Sequence, residues 1–189
     1  MKGRVPRAWA LPLLWPLLLL GSGLCLYLAW THVSLTHGLG SFESFCLAGE
    51  LFDCDAVNTS PASELFGVPT SLYCLGLYTG MFLLVGPAHS KSRQGERSRG
   101  ALRLLATLNL LASLGLAWYS HAHVQAWCLF CLGLYAVNAL AFLLVWILPG
   151  PPFSLPTGRG FLRALSAALV AFLVSAMGAF GWGAHLNQQ

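Results

Sequence analysis

Charged residues are scarce in this chain of 189 residues, in which Lys, Arg, Asp and Glu together make up only 8%. A soluble globular domain has about 25%. Hydrophobic residues reach 57%, and the mean hydropathy is +0.69. The shortage of charge excludes a water-soluble protein and predicts an all-α integral membrane protein surrounded by membrane lipid. The basic residues have no interleaved aromatic residues, so nothing indicates a nucleic-acid partner.

Five long apolar runs are separated by polar segments, and each is close to the ~20 residues that a membrane span needs. We treat the chain as one membrane domain over 1–189, with an outer polar loop at 31–64. The first run is too long for the apolar part of a signal peptide and no convincing cleavage site follows it, so we expect it to remain as a span. The predicted spans are about 8–30, 65–85, 101–119, 127–148 and 161–182.

All ten Lys and Arg residues fall on one side of this topology or in the first turn of an adjoining helix. Loops that carry Lys and Arg remain in the cytoplasm, so the N-terminus is expected there. The loop 31–64 holds five of the six acidic residues and no basic one, and it then faces outward. The turn at 120–126 and the C-terminus face the same side.

The fourth predicted span begins with Cys-Leu-Phe-Cys at 128–131. In a helix, Cys128 and Cys131 lie on one face of the first turn, where free backbone N–H groups and the helix dipole favour a thiolate. Thiol–disulfide redox chemistry uses this arrangement. A c-type haem would need His at the position of Leu132, and a structural zinc site would need a second close pair of ligands. The remaining alternative is that both cysteines are small apolar packing residues.

Two further cysteines, Cys46 and Cys54, lie in the outer loop, on the same side of the membrane as Cys128 and Cys131. Two dithiols on one side predict a relay, in which the loop pair meets a bulky protein and the pair at the lipid boundary meets a small oxidant. An acceptor that takes two electrons and dissolves in the bilayer points to a quinone. The alternative is a structural disulfide between Cys46 and Cys54 that fixes the loop.

Several of these residues together resemble the vitamin K epoxide reductase family. The two loop cysteines have seven residues between them and are followed by Asp55, Ser60 and the sequence Phe-Gly-Val-Pro at 66–69. The Cys-x-x-Cys pair is followed one helical turn later by Tyr135. The resemblance covers about residues 10–182 and is closest to the bacterial-type homologues.

This resemblance implies a four-helix bundle around a quinone site, with a fifth, peripheral helix that ends on the outer side. Cys131 would be the thiol next to the quinone, carrying a thiolate of low pKa, and Cys128 would be its partner. Cys54 would exchange with Cys128, and Cys46 would receive electrons from the protein substrate.

The resemblance also implies two residues near the quinone and no metal site. Tyr135 matches a tyrosine near the quinone carbonyl, and Ser60 matches a loop hydroxyl that helps to order the site. The quinone would be ubiquinone or menaquinone. The mammalian enzymes differ in having an asparagine near the start of the second span, where this sequence has Thr70 and Ser71.

The expected function is that of a membrane thiol–quinone oxidoreductase that generates disulfides. Many bacterial homologues continue into a thioredoxin-like domain after the fifth helix, and this chain does not. The expected partner is therefore a soluble thioredoxin-fold thiol oxidase that binds in trans. The expected location is the bacterial inner membrane, with the redox residues on the outer side.

Three alternative functions use the same residues. The enzyme could consume thiols to reduce vitamin K epoxide or a quinone. The protein could instead be a membrane adaptor whose two cysteine pairs form structural disulfides. A conduit for electrons from the cytoplasm would need a cysteine on the inner side, where the predicted topology places none.

Other polar residues near the predicted site have simpler expectations. His121 and His123 precede the Cys-x-x-Cys pair, and we expect them to lie at the membrane interface or to deliver protons to the quinone, the alternative being a metal site with the cysteines. Asp55 is expected either to raise the pKa of the thiol before it or to cap a helix. Asn109 and Asn138 are expected to hydrogen-bond between the third and fourth spans.

Overall fold

The part of the chain that the structure describes forms four long helices, with a short polar segment between the first two. The computed structural model describes residues 9–36 and 51–153, so Cys46 and the predicted fifth span at 161–182 lie outside the described residues. The long helices are α1 (Ala10–Thr36), α3 (Thr70–Ala88), α4 (Arg93–Tyr119) and α5 (Leu129–Trp146). The polar segment contains the short helix α2 (Cys54–Asn58), a 3-10 turn (Pro61–Ser63), and a hairpin of β1 (Glu64–Leu65) and β2 (Val68–Pro69). A π-helical turn (Ser120–Val124) follows α4.

The four long helices form a bundle in which each packs against two neighbours. Helices α1 and α4 each contact α3 and α5. All four are long and apolar enough to cross a membrane. Many large apolar side chains on their outer faces remain exposed, which suits contact with lipid acyl chains; examples are Leu19, Leu20, Leu111, Leu114 and Leu143. The chain is thus a multi-pass membrane protein, as the composition predicts.

The helices extend beyond the apolar runs that predicted the spans. Helix α1 continues to Thr36, beyond the predicted first span. Helix α4 begins at Arg93, within the segment between the predicted second and third spans. Ser92 caps α4, because its Oγ accepts a hydrogen bond from the Gly95 N–H at 3.3 Å. Arg and Glu are good helix formers, so hydropathy locates the part of a helix in an apolar environment and misses its polar ends.

The second span begins at Thr70 rather than at about residue 65. Residues 64–69 form an antiparallel hairpin in place of the first helical turn. At its tip, Phe66 and Gly67 have φ values of 53° and 77°, a left-handed conformation that glycine adopts without strain. Pro69 then has no N–H to donate within a helix. The Phe-Gly-Val-Pro sequence therefore makes a tight turn ahead of α3.

A chain of hydrogen bonds crosses the interior of the bundle. Tyr78 Oη donates to Asn138 Oδ1 at 2.6 Å, and Asn138 Nδ2 donates to Ser113 Oγ at 2.7 Å. Gly21 leaves room for the tyrosine against α1, since a Cβ there would lie 2.4 Å from the Tyr78 ring. Pairing of these buried polar groups is required where no water reaches them. Asn138 thus makes the expected bond between helices, with Ser113 as its partner rather than Asn109.

Two arginines of α4 hold the C-terminal ends of the neighbouring helices. Arg99 donates to the Ala88 carbonyl at the end of α3 and to the Pro149 carbonyl, both at 2.7 Å. Arg103 donates to the Val145 carbonyl of α5 at 3.3 Å and to the carbonyls of Leu148, Gly150 and Pro151. The guanidinium groups pair with carbonyls that have no partner within the helix, and their charge opposes the negative end of the helix dipole.

We expect Arg103→Gln to destabilise the bundle by about 2–3 kcal/mol, because a hydrogen bond from a charged donor contributes about 1.5–3 kcal/mol. The thermal unfolding midpoint of the detergent-solubilised protein, followed by circular dichroism, would measure the loss. Arg93→Gln is the matched control, since Arg93 is exposed at the start of α4. Equal midpoints for the two variants would contradict the proposed anchoring.

Candidate functional site

The polar segment before α2 pairs with the chain that leads into α5. The Trp127 N–H donates to the Leu51 carbonyl at 3.0 Å, and the Asp53 N–H donates to the Trp127 carbonyl at 3.1 Å. The two segments run parallel at this point. Cys54 follows directly on one of them and Cys128 on the other. The two hydrogen bonds therefore fix the beginnings of α2 and α5 side by side.

Cys54 is the first residue of α2, and it is buried and disulfide-bonded. The cap of this helix is Asp53, whose Oδ1 accepts a hydrogen bond from the Ala56 N–H at 2.8 Å. Capping, one of the two roles expected of Asp55, thus belongs to Asp53 instead. Cys46, the other cysteine predicted for the outer pair, lies outside the described residues.

Cys128 and Cys131 are both free thiols at the start of α5. Cys128 caps this helix, because its Sγ accepts a hydrogen bond from the Cys131 N–H at 3.2 Å. Only 2% of Cys128 is exposed, and it lies next to the segment that carries Cys54. Cys131 lines a cavity inside the bundle. The pair therefore connects the polar segment on one side with the cavity on the other.

The surroundings of Cys128 lower the pKa of its thiol. The largest cause is a hydrogen bond from the Cys131 side chain, and the backbone N–H groups of Cys131 and Phe130 add to it. Burial and the negative charge of Asp55 act in the opposite direction. Hydrogen bonds to the charged form of an acid stabilise that form. The thiolate of the reduced pair is therefore favoured at Cys128, whereas the sequence led us to expect it at Cys131.

Asp55 places a carboxylate near these thiols. Its Oδ1 is buried and has no hydrogen-bond partner among the described residues. A buried oxygen of this kind is uncommon in folded proteins. The charge raises the pKa of Cys128, so Asp55 has on Cys128 the effect that we expected on Cys54. It limits how far the hydrogen bonds lower the pKa.

A cavity of about 440 Å³ opens between α3, α4, α5 and the polar segment. Three residues singled out in the sequence, Ser60, Cys131 and Tyr135, all line it. Its volume falls within the ~300–1,000 Å³ of small-molecule sites, which are mainly apolar with a few polar groups. Apolar lining residues include Leu28, Leu77, Ala112, Leu116 and Leu134, and polar ones include Asn58, Ser63, Tyr73, Asn109, Ser113 and Asn138.

Ser60 orders the wall of the cavity through local hydrogen bonds. Its Oγ donates to the Val57 carbonyl at 2.8 Å. Its carbonyl accepts from the Ser63 N–H at 2.9 Å and from the Ser63 hydroxyl at 2.6 Å. These bonds join α2 to the 3-10 turn. The ordering role that the resemblance implied for Ser60 has a physical basis in this arrangement.

Two residues of this region, Asn58 and His32, were not predicted from the sequence. Asn58 Nδ2 donates to the Leu28 carbonyl at 3.1 Å and to Thr31 Oγ1 at 2.6 Å. The Asn58 carbonyl accepts from His32 Nδ1 at 2.7 Å. The polar Thr31-His32 pair at the end of an apolar helix was the available signal. Its partner lies 26 residues further along the chain, where no sequence pattern connects the two.

The histidines that the sequence did single out lie elsewhere. His121 and His123 are exposed, and neither lines the cavity. Their rings pack against aromatic neighbours, with centroids 5.8 Å apart for His121 and Trp127 and 4.8 Å apart for His123 and Tyr119. These contacts favour the interfacial role that we expected over proton delivery to the cavity.

Two substitutions should move the pKa of Cys128 in opposite directions. Cys131→Ala should raise it, because the largest stabilising hydrogen bond is lost, and Asp55→Asn should lower it, because a nearby negative charge is removed. The rate at which Cys128 is alkylated as a function of pH, followed by mass spectrometry of its peptide, would report both shifts. The electrostatic account is wrong if both variants shift in the same direction or if neither does.

Residues 12–146 match the vitamin K epoxide reductase family. The match includes all four long helices apart from the first residues of α1, and it contains both cysteine pairs. No curated protein matches the chain. The family match covers well over half of the sequence and confirms the resemblance seen in its motifs. The chain therefore belongs to the vitamin K epoxide reductase family, whose members are membrane oxidoreductases of thiols and quinones.

Proposed function

We propose that this protein oxidises the dithiol of a soluble thioredoxin-fold partner and passes the electrons to a quinone, so that a disulfide and a quinol are formed. The observation that carries the proposal is the pairing of residues 51–53 with Trp127. This pairing sets the disulfide-bonded Cys54 beside Cys128, while Cys131 lines the cavity. This arrangement supports transfer of electrons from the loop disulfide to Cys128, then to Cys131 and the cavity.

The outer step is exchange between the partner and the loop disulfide. Cys54 is disulfide-bonded, and in this proposal its partner is Cys46, the other cysteine that the sequence predicts for the outer pair. A thiolate of the soluble partner attacks Cys46 and releases Cys54. The second thiol of the partner then displaces Cys46. The partner leaves as a disulfide, and Cys46 and Cys54 hold the two electrons as thiols.

The inner step passes these electrons to the second pair. The Cys54 thiolate attacks the Cys128 sulfur of a Cys128–Cys131 disulfide and releases Cys131. Cys46 then attacks Cys54, which re-forms the loop disulfide and releases Cys128. A thiol of lower pKa leaves faster in such an exchange. The hydrogen bonds that lower the pKa of Cys128 therefore favour transfer toward the cavity.

The residues that line the cavity fit a quinone. Its wall is mainly apolar, as a hydrophobic ring requires, and Cys131 supplies a thiol at the same wall. Tyr135 lies one helical turn deeper and has a phenol that can donate a hydrogen bond to a carbonyl oxygen. When bound, a quinone accepts two electrons and two protons.

The distribution of charge and apolar surface supports the proposed location and partner. The positive-inside rule assigns the end of the bundle with Arg99 and Arg103 to the cytoplasm of a bacterial inner membrane. The redox residues are at the opposite end, facing the outer compartment in which disulfides persist. Leu51, Leu65 and Phe66 are exposed there, Phe66 by 91%. Exposed apolar surface of this kind suits contact with a protein partner.

Purified protein supplied with a reduced thioredoxin-fold oxidase should reduce a quinone. We expect Cys131→Ala to abolish turnover, and Cys46→Ala to retain turnover only with a small dithiol, because a small dithiol can reach Cys131 through the cavity. Cys25→Ala is the matched control, since Cys25 is a buried free thiol of α1. Quinone absorbance gives the rate. Absence of turnover by the wild type with both ubiquinone and menaquinone would overturn the proposal.

Tyr135→Phe should lower kcat/KM for the quinone by roughly 3- to 10-fold, because a neutral hydrogen bond contributes about 0.5–1.5 kcal/mol. Steady-state kinetics at varied quinone concentration would measure the change. An unchanged kcat/KM in Tyr135→Phe would exclude the phenol as a ligand of the quinone.

A further inference from the structure

His32 is a buried imidazole that the proposed relay does not use. It lies near the end of α1, with only 5% of its surface exposed. Its Nδ1 is 2.7 Å from the Asn58 carbonyl oxygen and 3.3 Å from Ser63 Oγ. Because a carbonyl oxygen only accepts hydrogen bonds, Nδ1 carries the hydrogen. The other ring nitrogen, Nε2, lies 3.6 Å from Glu64 Oε2.

The two sides of the imidazole face different surroundings. The Glu64 side chain is 47% exposed, so its carboxylate can exchange protons with the outer solution. Ser63 and Asn58 line the cavity. Among the described residues, Glu64 is the charged group within 4.0 Å of His32; α2 and the 3-10 turn present the neutral Asn58 and Ser63 to it. The imidazole thus connects a solvent-facing acid with the cavity wall.

The chemistry of the proposed function requires a proton from outside the cysteine pair. Reduction of a quinone to a quinol takes up two electrons and two protons. Formation of the Cys128–Cys131 disulfide supplies both electrons. When Cys128 reacts as the thiolate that its hydrogen bonds favour, the pair supplies only the proton of Cys131. One further proton must reach the apolar cavity by another route.

We propose that Glu64, His32 and Ser63 conduct this second proton from the outer solution into the cavity, an inference that rests on the proposed function. His32 Nε2 takes up a proton from Glu64, and the Nδ1 hydrogen passes to Ser63 Oγ. The Ser63 hydroxyl turns from the Ser60 carbonyl toward the cavity and gives up its own hydrogen there. Exchange of the remaining ring hydrogen from Nε2 to Nδ1 then restores the starting tautomer. In each cycle one proton passes from Glu64 to His32 and one passes from Ser63 into the cavity. Solvent then reprotonates Glu64.

The test uses His32→Asn, because the Asn side-chain N–H can replace Nδ1 as the donor to the Asn58 carbonyl but cannot carry a proton. We expect kcat for quinone reduction to fall about 100-fold at alkaline pH, in line with the 10²–10⁴ that proton transfer contributes. KM for quinone should change less than twofold, and the loss should shrink as the pH falls. Glu64→Gln should show a smaller loss with the same pH trend.

The exposed histidines provide matched controls. His121→Asn and His123→Asn should keep the wild-type kcat at every pH, since neither residue lines the cavity. The thermal unfolding midpoint of His32→Asn should equal that of the wild type. A His32→Asn protein that is folded and keeps the wild-type pH profile would overturn the conduction route while leaving the thiol–quinone function intact. Absence of quinone reduction by the wild type would overturn both.

A second measurement needs no quinone. In protein labelled with ¹⁵N histidine, we expect the His32 ring to exchange its hydrogen between Nδ1 and Nε2. Glu64→Gln should slow this exchange, whereas His121→Asn should not. A His32 ring that keeps its hydrogen on Nδ1 without exchange would overturn the proposal, because such a ring cannot pass a proton from Glu64 to Ser63.

Discussion

The two backbone hydrogen bonds between Trp127 and residues 51–53 bring the start of α2 to the start of α5, and the proposed relay depends on them. They join a polar segment that follows the first long helix to the entry of the last described one. Neither Cys54 nor Cys128 could be placed by its own helix alone, since α2 is only five residues long and α5 fixes Cys128 only at its first turn. Backbone pairing holds the two segments at the ~4.8 Å spacing of adjacent strands. Thiol exchange needs that proximity.

The sequence predicts the membrane helices well because lipid imposes a simple requirement. Every backbone polar group must be paired within the span, so a long apolar run such as that around Leu143 can only be a helix. Hydropathy does not indicate where the polar ends of a helix lie, so Arg93 and Thr36 were predicted to lie in loops. The turn at Phe66 and Gly67 depends on positive φ values. A general hydropathy window does not register those values.

The sequence indicates which side chains share one face of a helix, but it does not indicate contacts between distant segments. Cys131 and Tyr135 are four residues apart on α5, so helical geometry alone places both on the face that lines the cavity. Asn58 and His32 meet only because α2 folds back onto the end of α1. Their side chains differ in type, and neither belongs to a spaced motif. Sequence reasoning therefore singled out His121 and His123, for an interfacial role or for proton delivery, and these lie on the exposed turn after α4.

In the proposed relay, the charges around Cys128 act on both the rate and the direction of electron transfer. Hydrogen bonds from Cys131 and Phe130 stabilise the thiolate, and thereby the reduced pair. Asp55 opposes them, because its carboxylate repels the thiolate at low dielectric, where charges interact more strongly than in water. Oxidation to the Cys128–Cys131 disulfide removes the thiolate charge and relieves this repulsion. A disulfide is uncharged, so the Asp55 carboxylate does not repel the oxidised pair. Asp55 therefore makes the inner pair a stronger reductant and favours the passage of electrons into the cavity.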